Sequence, residues 1–301
     1  MPCNFNVMEI NKTYGYHLMA IVTVIIWGVT FVSTKVLISH GLTPADIFFY
    51  RFILAYFCIW FVSPRIFWAK SRKDELLLAF SGITGGSLYF IAENTALEIT
   101  LASNVSLILC TIPLITSLLT FLFYKERTGR YFILGSVIAL IGVALVVFNG
   151  SFVLKISPLG DLLTLAAALM WAFYSIILRQ LGARYSTFFI TRKVFFYGII
   201  TILPVFFIEP LTFEPDILAR PAVFLNLLFL GIIASMLCYL MWNAAIKQLG
   251  ALRISNYLYI IPPITMLTSF IVIDETITII AIFGSLLIIF GVYRGEKKIR
   301  K

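Results

Sequence analysis

The chain has 301 residues, of which 61% are hydrophobic and only 12% charged. A water-soluble domain carries roughly 25% charged residues to cover its surface, so this composition excludes an ordinary soluble protein and makes lipid the solvent. The net charge of +9 suggests nucleic acid or anionic lipid as a partner, but the placement of the charges argues otherwise.

In chain order, a polar start containing Glu9 and Lys12 leads into an apolar run over 17–37. No small-residue cleavage site follows it, so it reads as a retained helix and not as a signal peptide. Further apolar runs cover 45–63, 75–97, 102–123 and 131–148, then 159–179, 187–208, 222–246, 253–273 and 278–294. Each is long enough to cross ~30 Å of hydrocarbon as a helix. None alternates in polarity as barrel strands do. The expected fold is therefore an all-α integral membrane protein of ten transmembrane helices with short loops.

The basic residues sort by loop. With the N-terminus placed inside, 19 of the 23 Lys and Arg fall on the inner side, including Arg65, Lys70, Lys125, Arg127, Arg130, Arg184, Lys193 and the group from Arg294 to Lys301. Only Lys35, Arg51, Lys155 and Arg220 lie in the outer half, where the loops carry Asp46, Glu98, Glu209, Glu214, Asp216, Asp274 and Glu275. This positive-inside pattern predicts an even number of spans, both termini cytoplasmic, in the cell membrane. It accounts for the basic charge with the lipid bilayer as partner and without nucleic acid.

The chain also repeats itself. Trp27 matches Trp171 and Lys35 matches Arg179 at an offset of 144. At an offset of 149, Asn94 pairs with Asn243, Ala102 with Ala251, Ser106 with Ser255, Pro113 with Pro262, Glu126 with Glu275, Gly135 with Gly284 and Gly142 with Gly291. Two halves of five spans follow, 17–148 and 159–294. Five is odd, so the second half enters the membrane from the opposite side. Inverted repeats of this kind recur in secondary transporters, with substrate near the midplane.

The matched stretches carry a family resemblance. WGVTFVSTK (27–35) and TALEITLASNVSLILCTIPLITSLLTFLFYKER (95–127) resemble the first copy of the domain in EamA-type members of the drug/metabolite transporter superfamily. GDLLTLAAALMWAFYSIILR (160–179), YLMWNAAIKQLGALRISNYLYIIPPITMLTSFIVIDE (239–275) and GSLLIIFGV (284–292) resemble the second. The resemblance implies two inverted five-helix repeats around a central cavity. It also implies movement of small metabolites such as amino acids, often outward. Glu93 departs from the pattern, and its match in the second half is Trp242.

Ionisable groups within spans are costly and face a cavity or a partner. Lys35, Arg51 and Glu93 fall at similar depth and are expected to form a charge cluster at an outer gate, with Glu93 as counter-ion. Arg179 and Arg192 mirror the two cations near the inner face. The rival reading for Lys35 and Arg179 is a cation meeting helix C-terminal carbonyls or snorkelling to the headgroups. Pro113 and Pro262 are expected to interrupt their helices at matched depth. Candidate cavity residues are Trp27, Glu93, Asn94, Asn104, Trp171, Tyr174, Tyr239, Asn243, Asn256 and Tyr257. For the amides the competing reading is a tie between helices.

The expected function is alternating-access transport of a small-molecule substrate, an amino acid or related amphipathic compound, by a monomer with no cofactor and no metal. A channel or non-transporting scaffold is the rival class, although no filter-like loop or ring of charge is present. No HExxH, GxSxG or GxxxxGK[ST] motif supports an enzyme or an ATP-driven pump.

Overall fold

The computed structural model describes residues 3–64, 68–100, 102–126, 128–148, 157–273 and 278–296, without the side chains of 3–12, 103, 104, 147, 148, 269, 273 and 296. Expectations that rest on Arg65, Arg127, Lys155, Asp274, Glu275 and the last basic residues lie outside the described residues, as does the side chain of Asn104.

Every described element is helical. In chain order these are α1 (Cys3–Ser39), α2 (Pro44–Val62), α3 (Arg72–Gly82), a π-helical turn (Ile83–Ser87), α4 (Leu88–Ile99), α5 (Ala102–Leu109), α6 (Ile112–Tyr124) and α7 (Arg130–Phe148). Then follow α8 (Pro158–Gly182), α9 (Thr187–Ile202), a 3-10 turn (Leu203–Phe207), α10 (Pro215–Leu218), α11 (Pro221–Leu228) and a second π segment (Phe229–Leu237). The rest is α12 (Cys238–Leu249), α13 (Ala251–Ser255), a 3-10 turn (Asn256–Ile260), α14 (Ile261–Ile273) and α15 (Ile279–Glu296).

Eight continuous helical stretches are long and apolar enough to cross a membrane. The remaining two expected spans are shorter apolar helices, Arg130–Val146 and Ile279–Gly295. At 1.5 Å per residue each reaches about 25 Å, a little under the hydrocarbon thickness.

Local chemistry sets the helix starts. Thr43 caps α2 in a capping box, its hydroxyl accepting from Asp46 N at 3.2 Å while Asp46 accepts from Thr43 N at 3.0 Å. Pro44 stands in the first turn of α2 and Pro158 in that of α8, where a missing N–H costs nothing. Ser71, Ser157 and Ser186 cap α3, α8 and α9 with their hydroxyls. Gly250, at φ +88°, makes the turn from α12 into α13 in backbone space that side chains rarely adopt.

Five of the expected spans are not continuous α-helix, one of them only where α9 ends in its 3-10 turn. Span 3 passes through the π turn, where Gly86 leaves helical geometry at φ −134° and ψ −106°. The span built from α11 and α12 passes through the other π segment. The helix containing Pro113 breaks before Ile112, and that containing Pro262 winds down to 3-10 geometry over Asn256–Ile260. In these last two, proline stands in the first turn of the resumed α-helix.

Packing follows an exchange rule. Helix α1 lies against α12 and α14, and α8 lies against α4 and α6. Helix α2 packs on the second π segment, and α9 packs on the first. Helices α7 and α15 meet backbone to backbone. A Cβ on Gly135 would stand 2.6 Å from Gly291 O, and one on Gly142 would stand 2.6 Å from Gly284 O. Small residues allow this approach where lipid supplies no hydrophobic drive.

Candidate functional site: a charged, aromatic cavity

A cavity lies among the helices, with about 520 Å³ of empty space that includes its open mouth. Its wall has two characters. Trp27 and Trp171, Phe90 and Tyr239, Leu109 and Leu258, and Ile112 and Ile261 all line it, and each pair is a matched pair in the sequence. The charged lining comes from one half of the chain, Arg51 and Glu93, where Thr30, Tyr89 and Ser106 add polar groups.

The aromatic wall is continuous. Trp27 meets Trp171 edge-on at 5.2 Å and Trp242 at 4.9 Å, and Trp171 lies 4.8 Å from Tyr89 and 5.8 Å from Tyr239. The Trp27 indole N–H donates to Ala234 O at 3.0 Å, and the Tyr239 hydroxyl donates to Gly85 O at 2.6 Å. Both acceptors are carbonyls of π segments, where the wider turn disturbs the regular ladder and leaves acceptors for side chains.

Arg51 is 2% exposed and Glu93 8% exposed. Arg51 Nε donates to Ser235 Oγ at 2.9 Å, and its guanidinium carbon lies 4.2 Å from the Phe90 ring centre. Tyr89 donates to Glu93 Oε1 at 2.9 Å. Among the described residues, no other hydrogen bond engages either group, so a cation and a carboxylate share one cavity with part of their bonding capacity unspent.

Several sequence expectations need correction. Lys35 does not line this cavity; its Nζ donates to Thr100 O at 3.2 Å, where α4 ends, as a cation near helix C-terminal carbonyls should. The expected cluster of three therefore reduces to Arg51 and Glu93. Asn94 also stands off the wall, with Nδ2 donating to Pro44 O at 3.2 Å and so tying α4 to the start of α2. Asn243 accepts from Tyr174 OH at 2.8 Å and donates to Thr191 Oγ1 at 2.8 Å, tying α12 to α8 and α9. Asn256 donates to Val292 O at 3.2 Å, and Tyr257 OH lies 2.7 Å from His17 Nδ1. These groups span neighbouring helices, because an amide in lipid must find a partner on whichever helix lies beside it.

Arg179 and Arg192 belong to the opposite end of the bundle. Arg179 holds Glu126 through both nitrogens, at 2.7 and 2.6 Å. The Arg179 guanidinium holds the Glu126 carboxyl below its usual range, by hydrogen bond first. Arg192 donates to Ser63 O. Sequence reasoning missed two further ion pairs there. Asp74 meets Arg184 at 2.6 Å, and Glu75 meets Lys193, whose side chain is fully buried. Tyr197 also donates to Glu75 at 2.5 Å. A signal was available: two acids opening a span at the cation-rich side need partners.

Comparison with known proteins agrees with this architecture. A solved crystal structure superposes with a TM-score of 0.74, covering 94% of this chain and 98% of that one at 16% identity, which supports the fold alone. An "uncharacterized transporter" of Archaeoglobus fulgidus is 26% identical, covering 94% of this chain and 97% of its own. A "probable amino-acid metabolite efflux pump" of Salmonella typhimurium is 27% identical, covering 91% and 92%. A "probable terminal-alkyne amino-acid exporter" of Streptantibioticus cattleyicolor is 24% identical, covering 90% of each chain. The family model described as the EamA-like transporter family matches twice, over residues 15–148 and 158–294, and the chain belongs to that family.

Proposed function

We propose that this protein is a secondary carrier of small zwitterionic organic compounds, amino acids or close relatives, exported across the cell membrane by alternating access. The observation that carries the reading is the pairing of buried Arg51 and Glu93 in one aromatic cavity. A zwitterion offers a carboxylate to the guanidinium and an ammonium to the carboxylate. The indole and phenol rings would take its apolar body and cation. The names of the Salmonella and Streptantibioticus relatives point to the same substrate class and to export.

The architecture we propose is ten helices in two inverted five-helix repeats, working as a monomer with both termini cytoplasmic. Three observations support it: the two family matches, the exchange rule in helix packing, and the glycine seam. Gly135 matches Gly284 and Gly142 matches Gly291, while Gly135 touches Gly291 and Gly142 touches Gly284. A local two-fold axis in the membrane plane produces that crossing. Two inverted halves rocking about a shared cavity would expose it to each side in turn.

The test is counterflow in proteoliposomes with a panel of radiolabelled amino acids. Saturable, trans-stimulated flux is expected, and Glu93→Gln should lower its kcat/KM at least tenfold while the protein still elutes as a single species. Non-saturating flux without counterflow would refute the carrier reading. Unchanged flux and pH dependence in Glu93→Gln would remove Glu93 from the site.

A further inference from the structure

The two π-segment carbonyls that hold the cavity's aromatic wall, Gly85 O and Ala234 O, are themselves a matched pair at the offset of 149. Each takes a donor from the other half of the chain, but the donors are not matched to each other. Ala234 O is held by Trp27, whereas Gly85 O is held by Tyr239. The matched counterpart of Trp27 is Trp171, whose buried indole N–H has no partner among the described residues. The matched counterpart of Tyr239 is Phe90, which has no hydroxyl.

Resting on the inverted-repeat carrier reading, we infer that Tyr239 and Trp171 compete for the Gly85 carbonyl and that their exchange sets which side of the membrane the cavity faces. When two inverted halves swap conformations, each contact is replaced by its matched contact. Trp27 on Ala234 O becomes Trp171 on Gly85 O, so the unspent indole N–H is satisfied in the second state. Tyr239 on Gly85 O becomes Phe90 on Ala234 O, a bond that phenylalanine cannot make. The described state therefore satisfies both carbonyls, and the swapped state satisfies only one. An unmade hydrogen bond in a buried site is costly, so the missing hydroxyl at position 90 biases the resting protein toward the described state. In that state the polar lining (Arg51, Glu93, Ser106) stands on the parts of α2, α4 and α5 nearer the end that carries Lys35, the end to which the proposal assigns the mouth.

The native thiol of Cys110 lines the cavity and serves as the reporter. The full chain carrying Cys3→Ser, Cys58→Ala and Cys238→Ala would be reconstituted in oriented proteoliposomes. Cys110 would then be labelled with a small charged methanethiosulfonate from each side. Tyr239→Phe removes the bond that holds the described state, and Phe90→Tyr supplies the bond that the swapped state lacks. Both should raise labelling from the Asp74 end, relative to the Lys35 end, by roughly threefold, the scale of one intramembrane side-chain hydrogen bond. Trp171→Phe should lower that ratio, with or without Tyr239→Phe. A purely structural hydroxyl would not make the gain at position 90 copy the loss at position 239. If the parent labels from both ends and these variants leave the ratio unchanged, the exchange is refuted while the carrier reading stands. If Cys110 reacts from one end only in every variant, the carrier reading falls with it.

Discussion

Arg51 and Arg192 stand at corresponding places in the two family-matched segments, and both are 2% exposed, yet their surroundings differ. Arg51 looks into the cavity beside Glu93, with its Nε on Ser235. Arg192 is bonded to the carbonyl of Ser63, at the other end of the bundle. The same contrast holds for acids. Asp74 and Glu75 open α3 and bind Arg184 and Lys193, whereas the corresponding positions at the start of α11 are Val223 and Phe224. The shared fold needs apolar surface, small residues and helix breaks at both places. The charges were then distributed unevenly: cavity charge at one end, cross-linking ion pairs at the other. Scaffold and charge are therefore separable in this chain: apolar surface, small residues and helix breaks recur in both halves, whereas the acids Glu93, Asp74 and Glu75 have no acidic counterpart in the second.

Five substitutions press on that division. The largest effect on the frame should come from the glycine seam. Gly142→Ala and its matched Gly291→Ala each push a methyl into the facing backbone, both at 2.6 Å from the opposing carbonyl oxygen. Each should cost about 1–3 kcal/mol of stability, the range for overpacking, and the two losses should be alike. Thermal unfolding in detergent reads this, and unequal losses would break the correspondence between α7 and α15. Next, Arg51→Gln should abolish most transport, while Arg192→Gln should lower the unfolding temperature more than it lowers the transport rate of the protein that remains folded. Equal effects in both assays would erase the contrast between the two arginines. The smallest effect belongs to Glu126→Gln. The pair with Arg179 is half-exposed, with a Glu126 side-chain exposure of 53%, so its loss should cost no more than about 1 kcal/mol. Because Arg179 lowers the folded carboxyl's pKa, the pair's contribution is complete above the ordinary carboxylate range. It is lost as pH falls through the folded value. The wild type should lose that increment in acid and the variant should not.

Much of this was legible in the order of residues. The lengths of the apolar runs located the helices, and the paired prolines located two of the helix interruptions. Trp27, Trp171, Tyr239, Arg51 and Glu93, singled out from spacing and depth, do converge on one cavity. Asn94 and Asn243 were equally conspicuous and lie off its wall. An intramembrane amide must bond to something, and sequence does not say whether the partner is a ligand or the next helix. Lys35 shows the related difficulty that depth along a helix does not give direction around it. The π segments were not anticipated because ITGGS and FLGIIASML read as ordinary small and apolar span residues. They pack against α9 and α2, a tertiary contact that residue order does not display. Cys110, Leu109 and Ile112 escaped notice because apolar wall and apolar core have the same composition.

The glycine seam also bears on how the protein is made. A nascent chain folds roughly in the order it emerges. Helix α7 leaves the ribosome with Gly135 and Gly142 bare, and the residues they meet on α15, Gly291 and Gly284, arrive 156 and 142 residues later. Throughout that interval this close backbone contact is unmade, and α7 carries a notch whose partner is still missing. Closing it is among the last events of assembly, so quality control that senses unpaired small-residue faces would read α7 as the mark of an unfinished chain.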